Sequence, residues 1–402
     1  MRNIILTIAI VLSQMLVIAQ CPQGDIIFSS QADIDNFAII YPNCTEFEGS
    51  ITFTGSAIMN LYGLGALTSI GGNLNFLYTV ALPSPIGLQN LTSVGGSLML
   101  IENYTLNSLV GLNGLSSIGG DLIISQNNLQ TSLNGLNSLA SIGNSLYIDS
   151  SPGLTNIAGL QSLNSIGNDA EIVYCPALTS LSGLENLASV GGYFYIEYND
   201  ILTSLDGLES LSSVGGDLSI RSNSALSSVS ALSGLTSIDG NLNIRSNYDL
   251  TSLLGLNNID AGSINDLMLY SNTSLGTCEV WSICNYLGNP NGEVLISNNA
   301  TGCNSQQEIE DACEIVSVNE LPSISNLTIY PNPSSSSLTI ELPGTQFPNT
   351  HMSISNTSGK QLLTQELTDS KTEIDISRFP TGVYIVQLQS GTEVVTRKLV
   401  VN

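Results

Sequence analysis

The phrase Ser-Ile/Val-Gly-Gly returns every 24 residues along this chain of 402 residues. It stands at Ser69-Ile70-Gly71-Gly72, Ser93-Val94-Gly95-Gly96 and Ser117-Ile118-Gly119-Gly120, and continues in varied form from Ser141, Ser165, Ser189, Ser213 and Ser237. A fixed period in the twenties describes a unit too small to bury its own apolar face, which must stack on copies of itself. The chain is therefore expected to wind as a solenoid. Function in such a rod sits on outward faces, because stacking leaves no deep cleft.

Within one turn, Leu122 and Ile124 alternate with Ile123 and Ser125, the period of a short strand with Leu122 and Ile124 inward. Leu133, Leu136 and Leu139 then recur every three residues, which predicts bends, 3₁₀ turns or a minor strand. The inward pairs stack from Leu74/Phe76 to Leu242/Ile244. A degenerate first rung at Glu48–Phe53, Leu267/Leu269 and a last rung at Glu293–Ile296 bring the total to about eleven. At the spacing of neighbouring strands the array would be roughly 50 Å long. A second column runs through Asn103, Asn127, Ser151, Cys175, Asn199, Asn223, Asn247 and Asn272. Asn at a repeated corner can bond the turn backbone of its own and the neighbouring rung, and Cys175 fits there as a small buried thiol. The Gly-Gly corners are expected to supply positive φ or close contact between rungs.

These phrases, with the repeated Leu-Thr-Ser-Leu/Ile-x-Gly-Leu and Leu-x-Ile-x-x-Asn, resemble the receptor L-domain family over about Cys44 to Cys313. The resemblance implies leucine-rich-repeat-like turns stacked as a right-handed parallel β-helix. No kinase or membrane span accompanies the array, so a hormone-receptor role does not carry over.

The start of the chain, Arg2 followed by an apolar run from Ile4 to Ile18 with Val17 and Ala19 before the cut, reads as a secretory signal peptide. No later run is long enough to span a bilayer, so no transmembrane segment is expected in the mature chain. Seven cysteines suit an oxidising compartment. Six flank the array: Cys21 and Cys44 before it, a natural pair, and Cys278, Cys284, Cys303 and Cys313 after it, with three connectivities open. Disulfide-braced caps would close the apolar ends of a solenoid. From Cys21 to Glu320 there are 27 acidic residues against only Arg221 and Arg245. Such a surface repels nucleic acid and anionic membranes.

Catalytic constellations are not evident. The single histidine, His351, lies outside the array, so no Ser-His-Asp or Cys-His set can form within it. The cysteines are committed to caps, and no metal or cofactor is expected. Asp121, Asp169, Asp217 and Asp239 near the glycine corners do not form a dense calcium-binding loop. Arg221 and Arg245, one turn apart, are expected to pair with carboxylates such as Glu197, Asp206 and Asp217. The most suggestive surface is aromatic. Tyr147 and Tyr195 point outward from their rungs, Tyr174 and Tyr198 share a column just past the strand, and Tyr193 and Glu197 lie beside them. One exposed stripe over three rungs suits sugar stacking or a protein contact. Met99, Ile101 and Ile123 extend an apolar character toward the N-terminal end.

After Cys313 the period stops. Seven hydrophobic runs between Leu327 and Val401, separated by turn signals such as Asn332-Pro333 and Ser358-Gly359-Lys360, predict a small Ig-like β-sandwich. Tyr330-Pro331-Asn332-Pro333, Asn356 through Lys360 with Gly359, Ile374–Ser377, Gly382-Val383-Tyr384 and Lys398–Val401 resemble the C-terminal sorting domain of the type IX secretion system of Bacteroidetes. The resemblance implies the type IX machinery as a partner, and release or display outside the cell. The expected organisation is a signal peptide at 1–19, an N-terminal cap at 20–46, an all-β solenoid at 47–300, a cap and linker at 301–323 and a sorting domain at 324–402. The functional expectation is a secreted or surface, non-catalytic repeat protein binding an extracellular protein or glycan. The rival readings are a purely structural surface protein and a β-helix polysaccharide-degrading enzyme.

Overall fold

A computed structural model describes residues 21–318, 328–341, 350–356, 360–367, 369, 371–390 and 393–402. The expected signal peptide lies outside the described residues. The chain divides after Cys313 into two compact units.

The first unit is a parallel β-solenoid. Each turn contributes a four-residue strand to a broad sheet and a two-residue strand to a narrow one. The broad sheet has twelve strands, from Ile26–Phe28 through Leu122–Ser125 to Val294–Ser297. Every neighbouring pair is parallel, and identical positions meet: Leu146 lies beside Leu122 and Ala170, and Ile148 beside Ile124 and Ile172. The expected eleven rungs are thus exceeded by one. Ile26–Phe28 pairs in parallel with Ile51–Thr54, before the 24-residue clock starts. The narrow sheet is built from the clock phrase itself, nine strands from Glu46–Phe47 to Ser237–Ile238. The arc after each Asn corner is turns with occasional 3₁₀ pieces such as Ala158–Leu160.

Leucine and isoleucine columns fill the interior. Leu122, Ile124, Leu133, Leu136, Leu139 and Ile142 of one turn are all fully or almost fully buried. At the N-terminal end Phe28, Phe53 and Phe76 stack with centroids 5.6 and 4.9 Å apart.

The glycine corners show which of the two expected roles applies. A Cβ on Gly143 would lie 2.3 Å from the Gly119 carbonyl oxygen, and one on Gly167 2.1 Å from that of Gly143. The first glycine of the clock phrase is therefore required by close stacking, not by positive φ. Positive φ falls on a different glycine column, as at Gly111 and Gly135, both at 120°.

The Asn column forms a hydrogen-bonded ladder. Each Oδ1 accepts the backbone N–H of the preceding corner residue, and each Nδ2 donates to the preceding strand. Asn223 accepts from Asn199 N at 3.1 Å and donates to the Ile196 carbonyl at 2.8 Å. The ladder begins at Thr79 and gains Asn299, which accepts from Asn272 N at 3.0 Å. Ser151 and Cys175 interrupt it: their side chains turn back to the Asp149 and Val173 carbonyls of their own rungs.

Caps close both ends. Helix α1 (Gln31–Ile40) starts with a capping box of Ser30 and Asp33 and buries Ile34 and Phe37. Helices α2 (Trp281–Gly288) and α3 (Gln306–Val318) follow the last turns, α2 burying Ile283, Tyr286 and Leu287 and α3 burying Ile309. Disulfides join Cys21 to Cys44, Cys278 to Cys303 and Cys284 to Cys313, which selects one of the three connectivities open to the last four cysteines. Cys175 is free and buried.

The second unit has two antiparallel sheets. One orders Thr328–Tyr330, Ser337–Glu341 and Lys371–Asp375; the other orders Gln361–Glu366, Thr350–Asn356, Gly382–Ser390 and Glu393–Val401. Leu338, Ile340, Met352, Ile354, Val386, Leu388 and Leu399 form its core, the packing of a small sandwich.

Candidate binding face

The second and fourth residues of each broad strand face outward and stack with their equivalents. The residue before each strand forms a further column that sequence reading missed as a structural device. Its side chain accepts the backbone N–H of the same position one turn on. Asp25 accepts from Ser50, Ser50 from Asn73, Asn73 from Ser97, Ser97 from Asp121, Asp121 from Ser145, Ser145 from Asp169 and Asp169 from Tyr193, at 2.7 to 3.2 Å. The series resumes with Asp217 to Asn241, Asn241 to Asp266 and Asp266 to Glu293. Asp121, Asp169 and Asp217, weighed in the sequence as calcium ligands, are thus backbone acceptors. The alternation of Asp, Asn and Ser in this column was the available signal, since all three carry a short side-chain oxygen.

Tyr193 breaks that series, because its long phenol cannot serve as the short acceptor its column supplies. The phenol instead donates to Glu171 Oε1 at 2.6 Å and stacks on Tyr195 with centroids 4.2 Å apart. Burial first, and then the Glu171 contact, push the Tyr193 hydroxyl far above its ordinary range, with Tyr147 adding to the effect. Tyr147, Glu171 and Tyr195 are successive neighbours in the second-position column.

A second anomaly lies at the other end of the same strands. From Leu74–Leu77 onward the residue after each broad strand has left-handed backbone: Tyr78, Glu102, Gln126, Ser150, Tyr174, Tyr198, Ser222, Ser246, Ser271 and Asn298 all have φ between 47° and 60°. This region is unfavourable for bulky side chains. Tyr174 and Tyr198 occupy it nonetheless and stack nearly parallel at 4.5 Å, and Arg221 closes the stack 5.0 Å from the Tyr198 centroid. Tyr174 is 50% exposed. Burial, then the neighbouring Tyr198, raise its hydroxyl above the usual phenol range.

An open groove of about 390 Å³ is lined by one ring of each pair, Tyr174 and Tyr195. Ser219 forms its low point, with Tyr195 on one side, Asn243 and Met268 on the other, and Glu171, Glu197 and Arg221 along it. Glu197 is a floor residue, 6% exposed; Arg221 Nε lies 2.6 Å from it and Ser219 Oγ donates to it at 2.7 Å. That ion pair is one of those the sequence offered for Arg221. Arg245 lies beside Arg221 in register, and its guanidinium packs 5.4 Å from the Tyr270 centroid while donating to the Tyr270 hydroxyl. The structure therefore gathers Tyr147, Tyr174, Tyr193, Tyr195, Tyr198 and Glu197 on adjoining rungs. It adds Glu171, Ser219, Asn243, Met268 and Tyr270, which sequence reading had not singled out. Their signal was positional: each occupies an outward column of the strand repeat.

In the second unit, Asn332 acts as a strand surrogate. Its Nδ2 donates to the Lys398 carbonyl at 2.7 Å, and its Oδ1 accepts from Val400 N at 2.9 Å, tying the Tyr330–Pro333 segment to the last strand. Tyr330 donates to Glu341 at 2.6 Å, with Lys371 over its ring. Tyr384 donates to the Pro380 carbonyl at 2.6 Å and Gly382 opens the strand that carries it. Lys360 N donates to Asn356 Oδ1 at 2.9 Å, closing the turn in which Gly359 lies outside the described residues. Residues 328–402 match the secretion system C-terminal sorting domain family. This tail is a type IX sorting domain. The sorting domain implies interaction with the type IX machinery, export, and an extracellular or cell-surface location. No curated protein matches the chain. Among the described residues no helix is long and apolar enough to cross a membrane, and no cluster of His, Cys, Asp or Glu could hold a metal ion.

Proposed function

We propose that the protein is a non-catalytic extracellular binding protein whose broad-sheet face, around the Tyr193–Tyr195 and Tyr174–Tyr198 pairs, holds a glycan or a protein surface. In this reading residues 1–19 are a signal peptide, the repeat array is a receptor-L-domain-like leucine-rich-repeat solenoid, and the sorting domain delivers it outside the cell.

The observation that carries the reading is the placement of tyrosines where the repeat itself favours other residues. Tyr193 replaces a short backbone acceptor, and Tyr174 and Tyr198 are successive bulky residues at left-handed corners held elsewhere by Ser, Gln, Glu and Asn and by one further tyrosine, Tyr78. Departures from local structural rules that cluster on one exposed face point to selection for surface chemistry. An exposed tyrosine such as Tyr174 offers an apolar ring with a polar tip, suited to hydroxyl-rich ligands. The groove carboxylates an enzyme reading would use, Glu171, Glu197 and Asp217, are already engaged by Tyr193, by Arg221 with Ser219, and by the Asn241 backbone N–H. The mutual stacking of the rings supports a second reading, a structural surface protein with no single ligand.

The test is binding of the purified full-length protein to a broad glycan array, repeated with Tyr174→Ala and Tyr198→Ala. Specific signal lost in both variants supports the binding face. A blank array removes the glycan version and leaves protein partners. Signal unchanged by both substitutions removes this face.

A further inference from the structure

Arg221 and Arg245 are the only basic residues among the 300 from Cys21 to Glu320, and they occupy adjacent positions on neighbouring strands. Like charges in register on one sheet face repel, so the pair requires compensation. Arg221 has it, in the buried Glu197. Arg245 does not: among the described residues no carboxylate lies within ion-pair distance of it, in a segment with 27 acidic side chains. In the rung after Arg245 the equivalent position is Tyr270, whose ring and hydroxyl hold the guanidinium in place without neutralising it. Two residues earlier on the same strand and the same face, Asn243 lines the groove, and its buried Oδ1 has no hydrogen-bond partner among the described residues.

We infer that the groove takes an acidic glycan, a sugar hydroxyl donating to Asn243 Oδ1 in its lining and a hexuronate carboxylate received by Arg245, which lies outside that lining two residues along the same strand. This deepens, and rests on, the glycan reading of the tyrosine face. The guanidinium is a planar fork that matches a carboxylate with two parallel N–H···O bonds, and Tyr270 restricts it before the ligand arrives. The same carboxylate would balance the second arginine of the in-register pair. A neutral sugar would satisfy Asn243 and leave Arg245 as it is. The surrounding acidic array opposes long-range attraction of a polyanion, so recognition depends on this short-range contact and not on steering.

Polygalacturonate and its fully methyl-esterified form present one sugar backbone with and without the charge. The full-length protein is expected to bind the de-esterified polymer roughly tenfold or more tightly, the effect of a charge-assisted hydrogen bond. Arg245→Gln, which keeps a donor for Tyr270, should abolish that preference by lowering binding of the de-esterified polymer to the level of the esterified one, with the melting temperature unchanged. Equal binding of the two polymers by the wild-type protein overturns the acidic-glycan inference and leaves the glycan reading standing. A preference that survives Arg245→Gln overturns the role of Arg245. Absence of binding to both polymers, with signal for neutral glycans on the array, again removes only the acidic specificity; a blank array removes both readings.

Discussion

At the scale of single residues, Cys175 shows how a repeat tolerates an exception. It stands where its neighbours carry Asn, and burial pushes its thiol up to about 11 from an ordinary 9.0. A thiol so raised is protonated in the folded state while the unfolded chain ionises first. Its contribution is therefore fully present below pH 9 and is lost as pH rises through about 11. The slope is at most about 1.4 kcal/mol per pH unit, and Cys175→Ser should remove this alkaline loss, as read by urea denaturation from pH 8 to 11. Cys175 should also resist iodoacetamide until the protein is unfolded. The same site offers a gain. In Cys175→Asn the new Oδ1 would face Ser151 N–H and Nδ2 the Ile148 carbonyl, by analogy with Asn199. Two restored buried hydrogen bonds should add about 1–2 kcal/mol, seen as a higher melting temperature. Asn223→Ala removes the same pair of bonds from Asn199 N and the Ile196 carbonyl, and should cost about 2–4 kcal/mol because both groups stay buried.

At the scale of the turn, the two corners are held by different physics. The Asn corner is a hydrogen-bond device that a polar side chain supplies; the clock-phrase corner is a steric one that only the absence of a side chain supplies. Gly143→Ala places a Cβ 2.3 Å from backbone of the rung below, where no flexible atom can yield. The neighbouring rungs must part, with an expected loss of about 1–3 kcal/mol. Gly288→Ala at the end of α2 meets nothing within 4 Å and should leave the denaturation midpoint nearly unchanged. Comparing the two variants separates close stacking from a general effect of losing glycine. The repeat made these corners recognisable, because an invariant spacing marks positions that share one environment. It did not say whether positive φ or contact was the reason; Gly143 answers with contact alone, and Gly111 with contact and positive φ together.

At the scale of the molecule, the caps and the sorting domain define how the rod is ended and where it is sent. Cys278–Cys303 joins the segments that lead into α2 and α3, and Cys284–Cys313 joins the two helices to each other. Replacing either pair by Ser should lower stability by about 2–4 kcal/mol, with hydrogen exchange accelerated first in Leu267–Tyr270 and Val294–Ser297. Deleting residues 328–402 should leave the parallel-sheet circular dichroism of the array intact, since the chain divides after Cys313, and should prevent delivery outside the cell. Fractionation of producing cells checks the second outcome; array protein in the medium would contradict it.

The 24-residue period by itself determined a stacked parallel solenoid, its inward columns and its Asn ladder, because repetition converts sequence register directly into spatial register, and the separate tail was legible from its own alternating apolar runs. It also placed the tyrosines on one face. The first strand, Ile26–Phe28, escaped because it precedes the repeat and is fixed only by pairing with Ile51–Thr54. The pairing of four cap cysteines, the acceptor role of Asp121 and Asp169, the burial of Glu197 and the lack of an ion-paired carboxylate at Arg245 among the described residues were decided by tertiary structure alone. Each depends on which atoms of different turns come within about 3 Å, the reach of a hydrogen bond. A one-dimensional pattern states which residues share a column, but not which way their side chains turn.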